Sequence, residues 1–213
     1  MARDLGDFQT PSALVVEVLD CLGATGALWP RVLEPTCGCG NFISGLLRLP
    51  SPPREIQAIE LQAEHARVAE RLGGNSALTR VVITRANLFD LDLRKDLRWQ
   101  ETGPLLVIGN PPWITNSELG SLESGNLPPK SNLKALRGID AMTGESNFDI
   151  AEYIWLKIIR ELASECPTIA MLCKTSVARN VLQFGHDAGL PIVEAEIRRI
   201  DAPKWFDAAV DAC

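Results

Sequence analysis

The chain has 213 residues, 46% of them hydrophobic and 23% charged, and a net charge of −6. That length suits one sizeable domain and little more, and the composition is ordinary for a soluble globular protein, which excludes a chain built of membrane-spanning helices. The apolar runs are short and broken by charge, residues 1–7 carry no signal-peptide core, and the acidic balance argues against a self-sufficient grip on nucleic acid, so a soluble cytoplasmic protein with no membrane partner is expected.

In chain order, Thr10-Pro11 opens a helix, with Thr10 as the cap and Pro11 in the first helical position, and apolar residues recur through Cys21 and Leu22. Residues 23–30 break the pattern. A short strand at 31–34 ends at Pro35, and a helix at 42–49 stops at the proline-rich turn 50–53. A strand at 56–60 precedes a helix at 64–72, closed by Gly73-Gly74, and a strand follows at 81–84. A strand at 105–109 ends at Asn110-Pro111-Pro112-Trp113. Then come an amphipathic helix at 148–162, a strand at 168–173, a helix at 176–186 and a strand at 192–200, and 208–213 reads as the start of another strand. Strands alternating with helices imply βαβ units and a mostly parallel sheet covered on both faces. Residues 114–147 stand apart: they are rich in Ser, Asn, Gly and Pro and show no periodicity, and loops of that length are usually functional or disordered.

Six cysteines include a C-x-C pair, Cys37 and Cys39, but no second pair completes a zinc set, and His65 and His186 lie far away in sequence. Reduced structural cysteines and no metal are expected.

The run Glu34-Pro35-Thr36-Cys37-Gly38-Cys39-Gly40-Asn41-Phe42 joins the first strand to a helix. Its glycines let a ligand approach the backbone closely, and the helix start offers unpaired N–H groups. The spacing is G-x-G, without the third glycine of the dinucleotide fingerprint and without the Gly-Lys-Ser/Thr end of a P-loop. A plain tight turn would also explain it. The second strand ends in Glu60, which either accepts hydrogen bonds from two ribose hydroxyls or is an exposed charge opening the next helix.

Asn110-Pro111-Pro112-Trp113 leaves the fourth strand at the sheet edge where such folds bind ligands. Two prolines stiffen the turn and remove two backbone donors. The Asn110 side-chain oxygen and the Pro111 carbonyl remain as fixed acceptors, between which a planar amine with two N–H groups would fit. Accepting both hydrogens draws the nitrogen toward a tetrahedral shape and exposes its lone pair. Trp113 offers a face for a base, worth on the order of 1–3 kcal/mol, or else it is a buried structural residue.

Together these residues resemble the adenine-N6 DNA methyltransferases of restriction-modification and phage-defence systems, in the gamma ordering. The resemblance implies a doubly wound, mostly parallel, seven-stranded sheet of the Rossmann-like class I methyltransferases, truncated at its last strand or strands, with a target-recognition domain that follows the catalytic one. It implies S-adenosylmethionine as methyl donor, S-adenosylhomocysteine as product, and no metal. Phe8, Thr10 and Pro11 would flank the cofactor methionine. Glu34, Thr36, Gly38 and Gly40 would line the glycine loop, and Glu60 would hold the ribose. Asn87 stands where many relatives have Asp against the cofactor adenine, with Asp90 as an alternative, and Leu88 would pack on that ring. Phe148 and Asp149 match the segment beside the cofactor and the catalytic turn. Asn110 and Pro111 would grip an adenine rotated out of the duplex, while Trp113 and an aromatic from Lys204-Trp205-Phe206, Phe206 before Trp205, would sandwich its ring.

Lys130, Lys134 and Arg137 in the long loop are placed to touch DNA phosphates, although Glu118, Glu123, Asp140 and Glu145 bring its charge near zero. DNA is therefore expected to be held by a recognition domain or subunit outside these residues, with the protein nucleoid-associated when bound, and these 213 residues are expected to methylate DNA poorly alone. The acceptor alternatives are a glutamine amide of a translation factor, guanine N2 of ribosomal RNA and cytosine N4 of DNA. A cofactor-binding structural subunit without catalysis is the reading outside enzymology.

Overall fold

In the computed structural model residues 9–74, 76–114 and 149–213 are described. The elements run α1 (Ser12–Leu22), β1 (Arg31–Glu34), α2 (Asn41–Leu47), β2 (Glu55–Glu60), α3 (Ala63–Gly73), β3 (Arg80–Arg85), α4 (Leu93–Asp96), β4 (Leu105–Gly109), α5 (Ile150–Glu161), β5 (Thr168–Met171), α6 (Thr175–Asp187) and α7 (Ala202–Phe206). The strands form one sheet in the order β3-β2-β1-β4-β5, and every pairing is parallel. β1 is central, with Arg31 opposite Glu55 of β2 on one side and Leu105 of β4 on the other.

Side chains along a strand alternate between faces, and here both sets are apolar. Val32, Ile56, Leu106 and Ile108 join the core that includes Leu14, Val15 and Leu19 of α1 and Phe42, Ile43 and Leu46 of α2. Leu33, Ile59, Leu105 and Val107 face the opposite core with Leu93 of α4 and Ile150, Ile154 and Ile158 of α5. A third cluster joins α5 to α6 through Tyr153, Leu156, Val177, Val181 and Phe184. β1 and β4 are buried throughout, and β4 accordingly reads as a continuous apolar run rather than an alternating one, whereas β1 buries Arg31 and Glu34 at its two ends.

The described residues hold five strands where seven were expected. Residues 192–200 form no strand, although their β-like alternation predicts one. A strand needs a partner for its backbone groups. Among the described residues only Ile200 finds a cross-strand one, an antiparallel bridge to Ala212, and Val193 is 97% exposed. Ala212 also bridges Lys174 antiparallel, so the strand character of 208–213 is confined to its end. There Cys173 and Cys213 exchange both backbone hydrogen bonds, at 3.0 and 2.9 Å.

The start of α1 also differs. Pro11 is the N-cap and no side chain caps the helix. Thr10 is buried, and its carbonyl accepts a hydrogen bond from Asn41 Nδ2 at 2.8 Å, so it serves the glycine loop instead. α4 and α7 escape periodicity because four or five residues make barely one turn, yet each has a readable cap. Asp92 accepts from Arg94 N, and Asp201 from Lys204 N.

Phe8, Phe148, Lys130, Lys134, Arg137 and residues 115–147 in general lie outside the described residues. Among those described, no helix is long and apolar enough to cross a membrane.

Leu106 is fully buried in β4. Leu106→Ala is expected to cost about 2–5 kcal/mol in urea unfolding. Val193→Ser, on the exposed segment, is expected to stay within about 0.5 kcal/mol.

Candidate active site

β1 is paired on both sides, but the chain leaves it toward β2 and β3 on one flank and returns as β4 on the other. At that switch point the loops after β1, β2 and β4 diverge and leave a crevice at the carboxyl edge. One pocket fills it. It is lined by Glu34, Thr36, Gly38 and Asn41 after β1, Glu60 and Gln62 after β2, Asn87 and Leu88 after β3, and Asn110 and Pro112 after β4, with Gln9 and Thr10 closing one side.

The glycine loop owes its shape to two left-handed residues, Gly38 (φ 53°) and Gly40 (φ 84°). A Cβ on Gly38 would lie 2.7 Å from Gln9 Nε2, so the closing segment packs where only hydrogen fits. Gln9 Oε1 accepts from Cys39 N at 3.1 Å, and Asn41 Nδ2 donates to the Thr10 carbonyl, so residues 9 and 10 are stitched to the loop. The Glu60 carboxylate braces the other side, accepting Gly38 N at 2.8 Å through one oxygen and Gln62 N at 2.7 Å through the other.

Beneath the loop, Glu34 Oε2 and Thr36 Oγ1 are buried and find no hydrogen-bond partner among the described residues. Native interiors rarely leave such atoms unsatisfied unless a ligand or water completes them. Burial pushes the Glu34 carboxyl well above the ordinary carboxylate range. The Ile43 N–H pulls the other way without winning, and the Glu60 charge adds to the rise. Burial likewise pushes the Cys37 thiol up, so it packs as an inert side chain. The pocket therefore joins two carboxyl groups, an unsatisfied hydroxyl and a glycine cradle. That chemistry suits a ligand with a cationic centre and a polar, sugar-like portion. Asn87 is occupied locally, accepting from Phe89 N at 3.0 Å and so presenting Leu88 and the Ala86 segment toward the pocket.

Asn110 leaves β4 into this same pocket, and Pro112 and Ile114 line it too. Pro111 and Trp113 are buried behind the turn. Trp113 is 5% exposed, donates from Nε1 to the Leu172 carbonyl at 3.3 Å, and meets Phe206 edge-on, with ring centroids 5.0 Å apart and planes at 69°. A ring sandwiched between two others needs about 7 Å between the outer planes. Trp113 and Phe206 form one contiguous wall, without a gap for a third ring. Trp205 packs partly buried against the same core and carries Lys204 Nζ at 4.0 Å over its ring, outside the pocket lining. Pro11 sits behind the pocket as the helix cap rather than in its lining.

The structure thus gathers Thr10, Glu34, Thr36, Gly38, Glu60, Asn87, Leu88, Asn110 and Pro112 around one cavity. Gly40, which shapes the loop, is not in the lining. Sequence reasoning passed over Gln9 and Asn41 as site residues. Both carry amide side chains beside the glycines, a signal of local stitching that was there to be used. Among the described residues no cluster of three or more His, Cys, Asp or Glu is placed to hold a metal.

The raised Glu34 pKa carries a sign. A carboxyl whose folded pKa lies above its unfolded value contributes stability that is complete below the unfolded value, about 4.3 for Glu, and is lost as pH rises through the folded one. Glu34→Gln removes that loss. The variant's melting temperature relative to wild type is therefore expected to rise with pH from about 4 upward and then level off, in thermal unfolding between about pH 4 and pH 9. A difference that does not change with pH would contradict the assignment.

No protein-family model matches the chain. Along 99% of its length it is 35% identical to the type II methyltransferase M.NspV of Nostoc sp., and it spans 44% of that relative's length. Its fold is similar to that of a Listeria monocytogenes protein assigned to the class I S-adenosylmethionine-dependent methyltransferases, with a TM-score of 0.59, 13% identity, and 96% of this chain and 58% of that one covered. It is also similar to that of TrmN from Thermus thermophilus, with a TM-score of 0.51, 15% identity, and 89% and 45% of the two chains covered. The chain accordingly has the fold of the Rossmann-like class I methyltransferases and is, along nearly its whole length, a relative of a type II methyltransferase.

Proposed function

We propose that these residues form the catalytic part of a DNA methyltransferase that transfers a methyl group from S-adenosylmethionine to the exocyclic N6 of an adenine flipped out of the duplex. One observation carries the reading: Asn110 of the N-P-P-W turn opens into the same cavity as Gly38 and Glu60 of the cofactor-type cradle. A methyl-accepting amine and a nucleoside-bearing donor can then meet without crossing solvent.

The cavity fits the donor on its own terms. The unsatisfied Glu34 and Thr36 oxygens lie toward the cationic, amino-acid end, with Gln9 and Thr10 closing over it. Glu60 keeps free lone pairs for ribose hydroxyls beyond its two backbone donors. Asn87 and Leu88 would meet the adenine. S-adenosylmethionine, when bound, supplies a methyl group already activated by its sulfonium.

The chain's own work is positional. Asn110 Oδ1 and the Pro111 carbonyl accept the two amine hydrogens and turn the nitrogen lone pair toward the donor. Trp113 and Phe206 back the turn from behind as a single aromatic wall outside the pocket lining, Trp113 fixed by its N–H bond to the Leu172 carbonyl. A net charge of −6 gives these residues little hold on a polyanion. The reading therefore assigns the phosphate grip to a recognition domain or subunit beyond them.

The test supplies the intact protein with S-adenosylmethionine and unmethylated DNA and identifies the product nucleoside by mass spectrometry. N6-methyladenine is expected, with Asn110→Ala slower by about 10²–10³-fold. Product at cytosine N4 would replace the substrate, as would turnover seen only when a translation factor or ribosomal RNA is supplied in place of DNA. Cofactor binding without any turnover would favour a structural subunit.

A further inference from the structure

The turn after β4 is held by a closed ring of contacts that no sequence motif announces. Where β4 ends, Leu172 N donates to the Gly109 carbonyl at 3.0 Å, and Trp113 Nε1 donates back to the Leu172 carbonyl at 3.3 Å. Where the turn ends, Ile150 N donates to the Ile114 carbonyl at 3.0 Å. The two gripping segments, at the end of β5 and the start of α5, are then joined to each other. Lys174 Nζ donates to Asp149 Oδ2 at 2.9 Å, with the Asp149 side chain 8% exposed and that of Lys174 24%.

The residues of this ion pair divide their duties unusually. Asp149 Oδ1 caps α5 by accepting Ala151 N at 3.0 Å, leaving Oδ2 for the ammonium. Lys174 occupies the N-cap of α6, where it offers no side-chain acceptor and where a cation opposes the helix dipole. A position that would favour Ser, Asp or Asn carries Lys instead, and its charge is spent on Asp149 rather than on its own helix.

We propose that Asp149 and Lys174 are positioning residues for methyl transfer: their ion pair closes the ring that holds Asn110 and Trp113 in reacting register. This rests on the function proposed above. The grip acts on placement, not on cofactor binding, because neither Asp149 nor Lys174 lines the pocket. Small misplacements of a reacting group cost on the order of 10²-fold in rate.

The experiment uses the intact protein and four variants: Lys174→Met, Lys174→Arg, Asp149→Asn and the double variant Lys174→Met/Asp149→Asn. Asparagine still caps α5, so Asp149→Asn removes charge and spares the helix start. Lys174→Met and Asp149→Asn are each expected to lower kcat about 10–100-fold, with the dissociation constant for S-adenosylmethionine, by calorimetry, within about threefold of wild type. Lys174→Arg should restore most of the rate, and the double variant should be no slower than either single one.

A second readout needs no turnover. The Trp113 indole N–H, assigned in the NMR spectrum with Trp113→Phe, should exchange with solvent about tenfold faster in Lys174→Met. Wild-type kcat and indole protection in Lys174→Met would overturn the proposal, as would additive losses in the double variant or a cofactor affinity that falls in step with kcat. Asn110→Ala separates the two failures. If it keeps full methylation, the role of Asn110 falls; if the intact protein yields no N6-methyladenine, the proposed function falls; in either case the indole exchange still judges the ring.

Discussion

A strand hydrogen-bonded on both flanks and buried on both faces has nowhere to lead its chain except out of its end. β1 is such a strand, and its pairing with β2 and β4 in parallel register is the constraint on which the site depends. Parallel pairing sets the ends of β1, β2 and β4 at one edge. The reversal of winding direction at β1 then keeps their loops from covering one another. The crevice follows from topology, and the residues around it only decide what it can hold.

What they decide is largely electrostatic. Glu60 spends its carboxylate on the backbone of the glycine loop, and Glu34 lies beneath it with one oxygen unsatisfied. Burial holds the Glu34 carboxyl well above the ordinary carboxylate range, and the Glu60 charge adds to the rise. A cationic ligand would oppose that rise. The raised carboxyl and the affinity for such a ligand are thus two aspects of one arrangement.

β4 was legible because burial on both faces leaves an uninterrupted apolar run, Leu105, Leu106, Val107 and Ile108, ended by a glycine and prolines. The site was legible where backbone geometry restricts identity, at Gly38 in the pocket lining and at Gly40, which shapes the loop from outside it, or where a short rigid turn leaves few acceptors, at Asn110. Residues 192–200 misled because alternation reports propensity, whereas a ladder needs a neighbour. Trp113 is a case of ambiguous chemistry: its indole can stack on a base or pack in a core, and only its edge contact with Phe206 and its bond to Leu172 show how it is held. The Asp149–Lys174 pair was out of reach, because its members are 25 positions apart on different helices and local pattern says nothing about such meetings.

The pairing of β1 with β4 also bears on how the protein reaches its fold. Arg31 lies opposite Leu105, so the middle of the sheet joins segments more than seventy positions apart, with no hairpin to start the pairing. Loop-closure entropy must be met before such contacts return any energy, and parallel sheets of this kind fold slowly. On a ribosome the β1–β2–β3 half can assemble first, leaving the apolar flank of β1 bare until β4 emerges. The strand that organises the finished crevice is therefore the surface most exposed to wrong partners during synthesis.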